Sequence, residues 1–375
     1  MNLVFVIGSL DMGGAQRVAL NLIGAWRKRG WAVTLVVTFS GRGSSYYDIP
    51  EGVEVVYLAD LVGERTRGAL ARMLALRRLL KAKCPDRVVS FLTNANVIAL
   101  GAARGLRLSV IVSERNYPPA DVLPRRYALV RRFIYPLASR VVMQTNRGGE
   151  WLSRTILLAR GVTIPNPVAL PLPVTVPRLD PGTVVGVETR LLLGVGRLAA
   201  QKGFDVMIEA FRQVADEHRD WQLVIVGDGD ERAALERQVA QAGLIDRVHL
   251  VGAAGNMGDW YTRADIFAMT SRFEGFPNAL LEAMAHGCAV ISFDCDTGPA
   301  DMIDQGRNGV LLGAAPDAAE LAGALSALMT DESRRVALAD AARAVLDRFS
   351  MDTVLAQWDA ALNIDSRRQE GACAA

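Results

Sequence analysis

The sequence predicts an α/β protein made of two doubly wound domains, each a parallel sheet covered by helices. Four observations carry this. Short continuous apolar runs alternate with stretches of helical periodicity, and the alternation occurs twice along the chain. Runs that are apolar at almost every residue mark strands buried on both faces, as in parallel sheets. At 375 residues the chain is long for one core and comfortable for two. Finally, six of the fifteen prolines fall within residues 164–182, "IPNPVALPLPVTVPRLDPG", where they impose an extended border.

Taken in order, "LVFVIG" (3–8) is the first strand. Val18, Leu22 and Trp26, four residues apart, form the buried stripe of the first helix. The strands of the first half continue with "AVTLVVTF" (32–39), "VVSFL" (88–92), "SVIVSE" (109–114) and "RVVMQT" (140–145). The second half repeats the scheme with "RLLLGVG" (190–196), "WQLVIVG" (221–227), "RVHLVG" (247–252), "DIFAMT" (265–270) and "CAVISF" (288–293). A last amphipathic helix covers 350–365. The expected organisation is a first Rossmann-like domain over 1–165, a linker over 166–183, a second such domain over 184–349, and the helix 350–365 returning to the first. Ligands are expected at the carboxyl ends of the strands, in a cleft between the lobes.

Composition narrows the class. The chain is 51% apolar and 22% charged, as an ordinary globular enzyme is. No apolar run approaches the roughly 18 residues of a membrane span, and the start, "MNLVFVIGS", does not read as a signal peptide. Cys84, Cys288, Cys295 and Cys373 form no CxxC pair, so free thiols in a reducing cytoplasm are expected, and no zinc site. The net charge of +2 hides an asymmetry: residues 1–160 hold 24 Lys+Arg against 10 Asp+Glu, and the remainder 18 against 30. The excess lies in residues 65–83 and 124–136, where Leu, Met, Tyr or Phe alternate with arginine at helical spacing. Such stretches are either solvated faces of core helices or a surface for an anionic membrane or a phosphorylated substrate. Nucleic acid is not expected as a partner, since no helix-turn-helix, zinc finger or aromatic-basic strand motif accompanies the charge.

Several loops could carry chemistry. In "GSLDMGGAQR" (8–17), Gly13 and Gly14 let backbone approach a ligand at a helix N-terminus, a place that favours anions. The loop equally fits a tight strand-to-helix turn. In "LLLGVGRLAAQKG" (191–203), Gly194 and Gly196 end a strand, and Arg197 and Lys202 follow. A bidentate guanidinium and a point charge so placed suit a diphosphate. Backbone groups of Gly252 and Ala253 could meet a nucleobase edge, or simply turn the chain.

In "SRFEGFPNALLEAMAHG" (271–287), Glu274 stands before a helix and Glu282 one turn inside it, with Pro277 suited to the first helical position. A carboxylate one turn inside a helix suits vicinal hydroxyls such as those of ribose. The pair alone also fits a glycosidase acid and base, but the adjacent phosphate-type loop favours transfer from a nucleotide sugar. The D-x-D strings at Asp228–Asp230 and Asp294–Asp296 have no supporting cluster, so no metal site is expected. His218, His249 and His286 lack a ligand partner at i+4 and read as structural.

These motifs resemble those of family 4 of the retaining glycosyltransferases, which have the GT-B fold of two Rossmann-like domains facing across a cleft. The E-x7-E motif is Glu274 to Glu282. The "GRL…QKG" element supplies Gly196, Arg197 and Lys202, the Gly-rich loop is Gly13-Gly14, and "IPNPV" (164–168) is similar to the family's interdomain turn. The resemblance implies that Arg197 and Lys202 hold the donor diphosphate and Glu282 the ribose. It also implies that Glu274, with the backbone of Gly275, Phe276, Pro277 and Asn278, contacts the donor sugar. Arg197, Lys202 and Glu274 are then the catalytic set, without metal or other cofactor.

"FDCDTGPADMI" (293–303) and "VSERNYP" (112–118) resemble bacterial members that extend capsule, exopolysaccharide or O-antigen units on a lipid carrier, commonly from UDP-hexose or UDP-N-acetylhexosamine. That implies a lipid-diphosphate-linked acceptor, in keeping with a basic first domain at the inner membrane surface. Two departures stand out. Many family members place a catalytic-site His at the end of an N-terminal-domain strand; here no His precedes position 218, and the resemblance leaves Glu114, Arg115 and Asn116, with Arg17, as the acceptor-side candidates. The Gly-rich loop reads GGAQR where relatives often have GGAER, so Gln16 brings no charge. A UDP-sugar epimerase and a non-catalytic sugar-nucleotide-binding partner remain alternatives.

Overall fold

The computed structural model describes residues 1–11, 13–39, 45–62, 68–120 and 125–363. Met12 of the Gly-rich loop, the first residues of both basic stretches, Cys373 and the C-terminal tail lie outside the described residues. The chain divides into two compact units, Met1–Asn166 with Val354–Ala375, and Pro167–Thr353.

In unit 1 the order is β1 (Asn2–Ile7), α1 (Gly14–Lys28), β2 (Ala32–Val37), β3 (Glu54–Tyr57), α2 (Leu58–Leu61), α3 (Ala69–Lys83), β4 (Arg87–Phe91) and α4 (Thr93–Ala103). It continues with β5 (Val110–Ser113), α5 (Arg125–Ile134), β6 (Arg140–Met143), α6 (Asn146–Thr155) and β7 (Gly161–Thr163). Among the described residues the sheet order is β3-β2-β1-β4-β5-β6-β7, parallel throughout. The central strands are the continuous apolar runs, and Val4, Phe5, Leu35, Val89 and Ile111 are wholly buried. Val18, Leu22 and Trp26 of α1 are buried as their spacing requires. The sheet order reverses between β1 and β4, and just past β4 Leu92 takes a positive φ of 75°, a strained conformation for a non-glycine residue.

Unit 2 begins with the proline-rich stretch, which is strapped to the domain it precedes. The Thr175 amide donates to the Gly255 carbonyl and the Leu179 amide to Asn256 Oδ1, both at 2.9 Å. Then come β8 (Arg190–Val195), α7 (Phe204–Val214), β9 (Trp221–Val226), α8 (Arg232–Gln241), β10 (Val248–Gly252), α9 (Met257–Arg263) and β11 (Ile266–Met269). These are followed by α10 (Asn278–His286), β12 (Ala289–Phe293), α11 (Pro299–Met302), β13 (Val310–Leu312), α12 (Ala318–Thr330), α13 (Glu332–Ala342) and α14 (Val345–Phe349). The order is β10-β9-β8-β11-β12-β13, again parallel. Two apolar clusters form the core of this unit, one around Phe204, Phe211 and Trp221, the other around Trp260, Leu280 and Met284.

The last helix among the described residues is α15 (Met351–Asn363), which from Val354 belongs to unit 1. Trp358 packs against Trp26 and Phe91, with ring centroids 6.1 and 5.9 Å apart, and Asp359 pairs with Arg29 at 2.5 Å.

Candidate functional site

In unit 2 the strand order reverses between β8 and β11, the switch point at whose carboxyl ends doubly wound sheets hold their ligand crevice. The loop after β8 holds Gly196, Arg197 and Lys202; the loop after β11 holds Ser271 to Pro277. They are stitched together. The Arg272 amide donates to the Gln201 carbonyl, and Gln201 Nε2 to the Phe273 carbonyl, each at 2.8 Å; Thr270 Oγ1 donates to the Lys202 carbonyl at 2.9 Å. Outside this seam Arg272 grips both oxygens of Asp205, at 3.0 and 2.7 Å. Burial opposes ionisation of Asp205, but the hydrogen bonds and charge of Arg272 outweigh it and hold the carboxyl below its usual range.

The seam brings together two side chains 72 positions apart: Lys202 Nζ lies 2.6 Å from Glu274 Oε1. Ser271 Oγ donates to the same oxygen at 2.7 Å. Glu274 is therefore a buried, paired carboxylate, and Lys202 arrives at the crevice with its charge already partly compensated. Arg197 differs: it is exposed and makes no side-chain hydrogen bond or ion pair among the described residues. Of the two cations expected to hold a diphosphate, Arg197 is the uncommitted one.

The mouth of α10 is set by a second loop. Thr297 Oγ1 donates to the Glu274 carbonyl at 2.5 Å. Gly298 has φ +106°, and a Cβ there would lie 2.2 Å from Pro277 Cδ, so the close approach requires glycine. Pro277 is the cap of α10, not its first helical residue as expected, because its ψ of 83° is not helical; the helix starts at Asn278. The Phe276 ring is buried against Phe349, centroids 6.0 Å apart, so this residue offers the crevice backbone rather than its ring.

One turn into α10, Glu282 is buried and accepts a hydrogen bond from the Tyr261 hydroxyl at 3.1 Å. Gly252 ends β10, with Ala253 in the loop after it, while Gly227 after β9 sits so near that a Cβ would meet the Gly196 carbonyl oxygen at 1.8 Å. Gly196, Arg197, Lys202, Gly252, Ala253, Glu274 to Asn278 and Glu282 thus share one unit, on the strand-end loops and the helix they lead into. Among the described residues no three His, Cys, Asp or Glu side chains come together as a metal cluster.

The remaining candidates are in unit 1. Gly13, extended at φ 179°, caps α1, Gly14 begins it, and Arg17 is half-buried one turn on. Glu114 and Arg115, expected as acceptor-side groups, are buried at the end of β5. Glu114 accepts from Thr93 Oγ1 at 3.0 and 2.7 Å and from the Tyr135 hydroxyl, with Arg131 at 3.6 Å. Burial, then the charge of Glu114, pushes the Tyr135 phenol well above its ordinary value. Arg115 donates to Ser113 Oγ at 3.1 Å and to Asn166, and lies 4.1 Å over the Phe91 ring; burial lowers its pKa to about 9. These two side chains brace the carboxyl end of the sheet, and Asn116 is the exposed member of the trio.

The sequence alone did not single out Ser271, Thr297 or Tyr261. Ser271 stands three residues before Glu274, a spacing that invites a local hydrogen bond. Thr297 and Tyr261 reach the site only through the tertiary fold.

The chain is built of two Rossmann-like units, each with a parallel sheet, and its fold class is GT-B. The profile described as "Glycosyl transferases group 1" matches residues 181–345, and that described as "Glycosyl transferase 4-like domain" matches residues 13–167. The chain belongs to this glycosyltransferase family. It is 27% identical over 302 residues to the amylovoran biosynthesis glycosyltransferase AmsD of Erwinia amylovora, covering 80% of this chain and 83% of that one. It is 26% identical over 363 residues to a Campylobacter jejuni α-1,4-N-acetyl-D-galactosaminyltransferase, named for an acceptor carried on diphospho-undecaprenol, with 96% and 97% covered. Its fold matches that of Anabaena Alr3699/HepE, solved in complex with UDP, with a TM-score of 0.80 at 20% identity over 97% of this chain and 100% of that one.

Proposed function

We propose that this glycosyltransferase moves a hexose or N-acetylhexosamine from a UDP-sugar, with retention, to a hydroxyl of a lipid-diphosphate-linked glycan in bacterial surface polysaccharide synthesis. The observation that carries the donor half is the switch-point crevice, with an uncommitted Arg197 beside the Lys202–Glu274 pair. The relatives named for amylovoran and for an undecaprenol-linked acceptor support the acceptor half, and the UDP-bound fold neighbour supports the nucleotide.

In this reading Arg197 and Lys202 bind the diphosphate, Glu282 the ribose hydroxyls, and Gly252 and Ala253 the base edge. Glu274 and the amides at the mouth of α10 meet the sugar. The bond from the anomeric carbon to the diphosphate breaks while the acceptor oxygen bonds to the same face. The acceptor proton passes to the departing phosphate. Arg197 and Lys202 stabilise the charge growing on that phosphate, so no metal is required.

The surface of unit 1 supports a membrane partner. On α5, which packs on α4 as α3 does, Phe133 is 72% and Leu129 59% exposed, with exposed Arg132 beside them. Leu70 and Leu74 of α3 are exposed near exposed Arg78 and Lys81. Exposed apolar side chains beside cations suit an anionic bilayer, in keeping with a cytoplasmic protein peripheral to the inner membrane face.

Incubation with a panel of UDP-sugars and a lipid-diphosphate saccharide, in EDTA, tests the proposal. An axial donor bond should give an axial product bond by NMR. An inverted product, or conversion of the UDP-sugar without acceptor, would refute it.

A further inference from the structure

Tyr261 belongs to no motif, yet its hydroxyl donates to Glu282 Oε2 at 3.1 Å with both residues buried. The ring has little freedom. It stands edge-on to Phe267, centroids 6.1 Å apart, and lies against His286 at 5.4 Å. Its carbonyl accepts from the Cys288 thiol at 3.1 Å. His286 is itself tied to α10, its Nδ1 donating to the Glu282 backbone carbonyl at 2.8 Å. The terminal torsion of a glutamate is broad and soft. A carboxylate meant to grip two neighbouring hydroxyls must have that torsion fixed before the ligand arrives, and a charge-assisted hydrogen bond in a buried setting fixes it.

We infer that Tyr261 is a positioning residue that orients the Glu282 carboxylate toward the ribose diol and thereby sets selectivity for ribonucleotide over dideoxynucleotide diphosphates. The inference rests on reading Glu282 as the ribose ligand. Tyr261 is on α9, the short helix that follows the Gly252–Asn256 loop. One segment, 252–261, therefore shapes both the base edge and the ribose grip.

The test is calorimetric titration of the full chain with UDP and with 2′,3′-dideoxy-UDP. Wild type should prefer UDP, and Glu282→Ala should bind the two alike. Tyr261→Phe keeps the ring, and it should shrink the preference about threefold to tenfold while the dideoxy affinity stays within about twofold. In turnover the same variant should raise donor KM with kcat nearly constant. Adding Tyr261→Phe to Glu282→Ala should change the preference no further.

A merely loosened fold would weaken both nucleotides together and leave the preference intact. An unchanged preference in Tyr261→Phe, with Glu282→Ala having lost it, overturns the role of Tyr261 alone. A preference that survives Glu282→Ala overturns the ribose reading and this inference with it.

Discussion

Lys202→Ala should damage the protein in a way that Arg197→Ala does not, although both remove one positive charge from the same crevice. Lys202 is 21% and Glu274 8% exposed at the side chain, and they meet at 2.6 Å. Deleting one partner of a fully buried pair costs about 3–5 kcal/mol, because the other charge stays buried without compensation. Water reaching the partly exposed Lys202 position reduces this to about 2–3 kcal/mol, equivalent to a roughly 30- to 150-fold rise in local opening. Arg197 is exposed and unpaired among the described residues, so its removal should stay within about 0.5 kcal/mol. Hydrogen exchange read by mass spectrometry on peptides covering 196–203 and 270–282 separates the two: faster exchange in Lys202→Ala, wild-type exchange in Arg197→Ala. Adding Glu274→Gln to Lys202→Ala removes the stranded charge and should recover about 1–2 kcal/mol. Equal exchange in the two single variants, or strict additivity in the double, would refute the reasoning.

Three further outcomes are expected. Gly298→Ala places a Cβ 2.2 Å from Pro277 Cδ at φ +106°, so the α10 mouth must shift, and turnover should fall at least about tenfold while far-ultraviolet circular dichroism is unchanged. Thr297→Val keeps the shape but leaves the Glu274 carbonyl without its donor, and should lower unfolding stability by about 1–2 kcal/mol in urea titration. Burial, and for Cys295 next the charge of Glu274, pushes the Cys288 and Cys295 thiols up to about 12 from an ordinary 9.0. At pH 8 iodoacetamide should label exposed Cys84 and spare both of these until the protein unfolds, as read by peptide mass mapping. Because the folded values are raised, their contribution to stability is complete below pH 9.0 and is lost as pH climbs toward about 12.

The central strands were legible because β1, β8, β9 and β12 are continuous apolar runs, and burial on both faces demands such composition. Short β3, β7 and β13, of three or four residues, escaped: an edge strand needs no long apolar run, and "EVVY", "GVT" and "VLL" are too brief to show a period. In the site, Arg197, Lys202, Glu274 and Glu282 stood out because charge at a strand end or a helix mouth is conspicuous. The Lys202–Glu274 pairing was not legible, since it depends on β8 and β11 becoming neighbours across 72 positions. Glu114 is the converse case. It too is a charge at a strand end, but Thr93 and Tyr135 come from other elements to enclose it.

The most direct test of the donor site is the affinity for UDP, by isothermal titration, of wild type and Arg197→Ala. Removing a bidentate, charge-assisted hydrogen-bond donor from the diphosphate costs about 1.5–3 kcal/mol, so affinity should fall roughly 10- to 150-fold while the fold is unaffected. An identical dissociation constant in the two proteins would contradict the account.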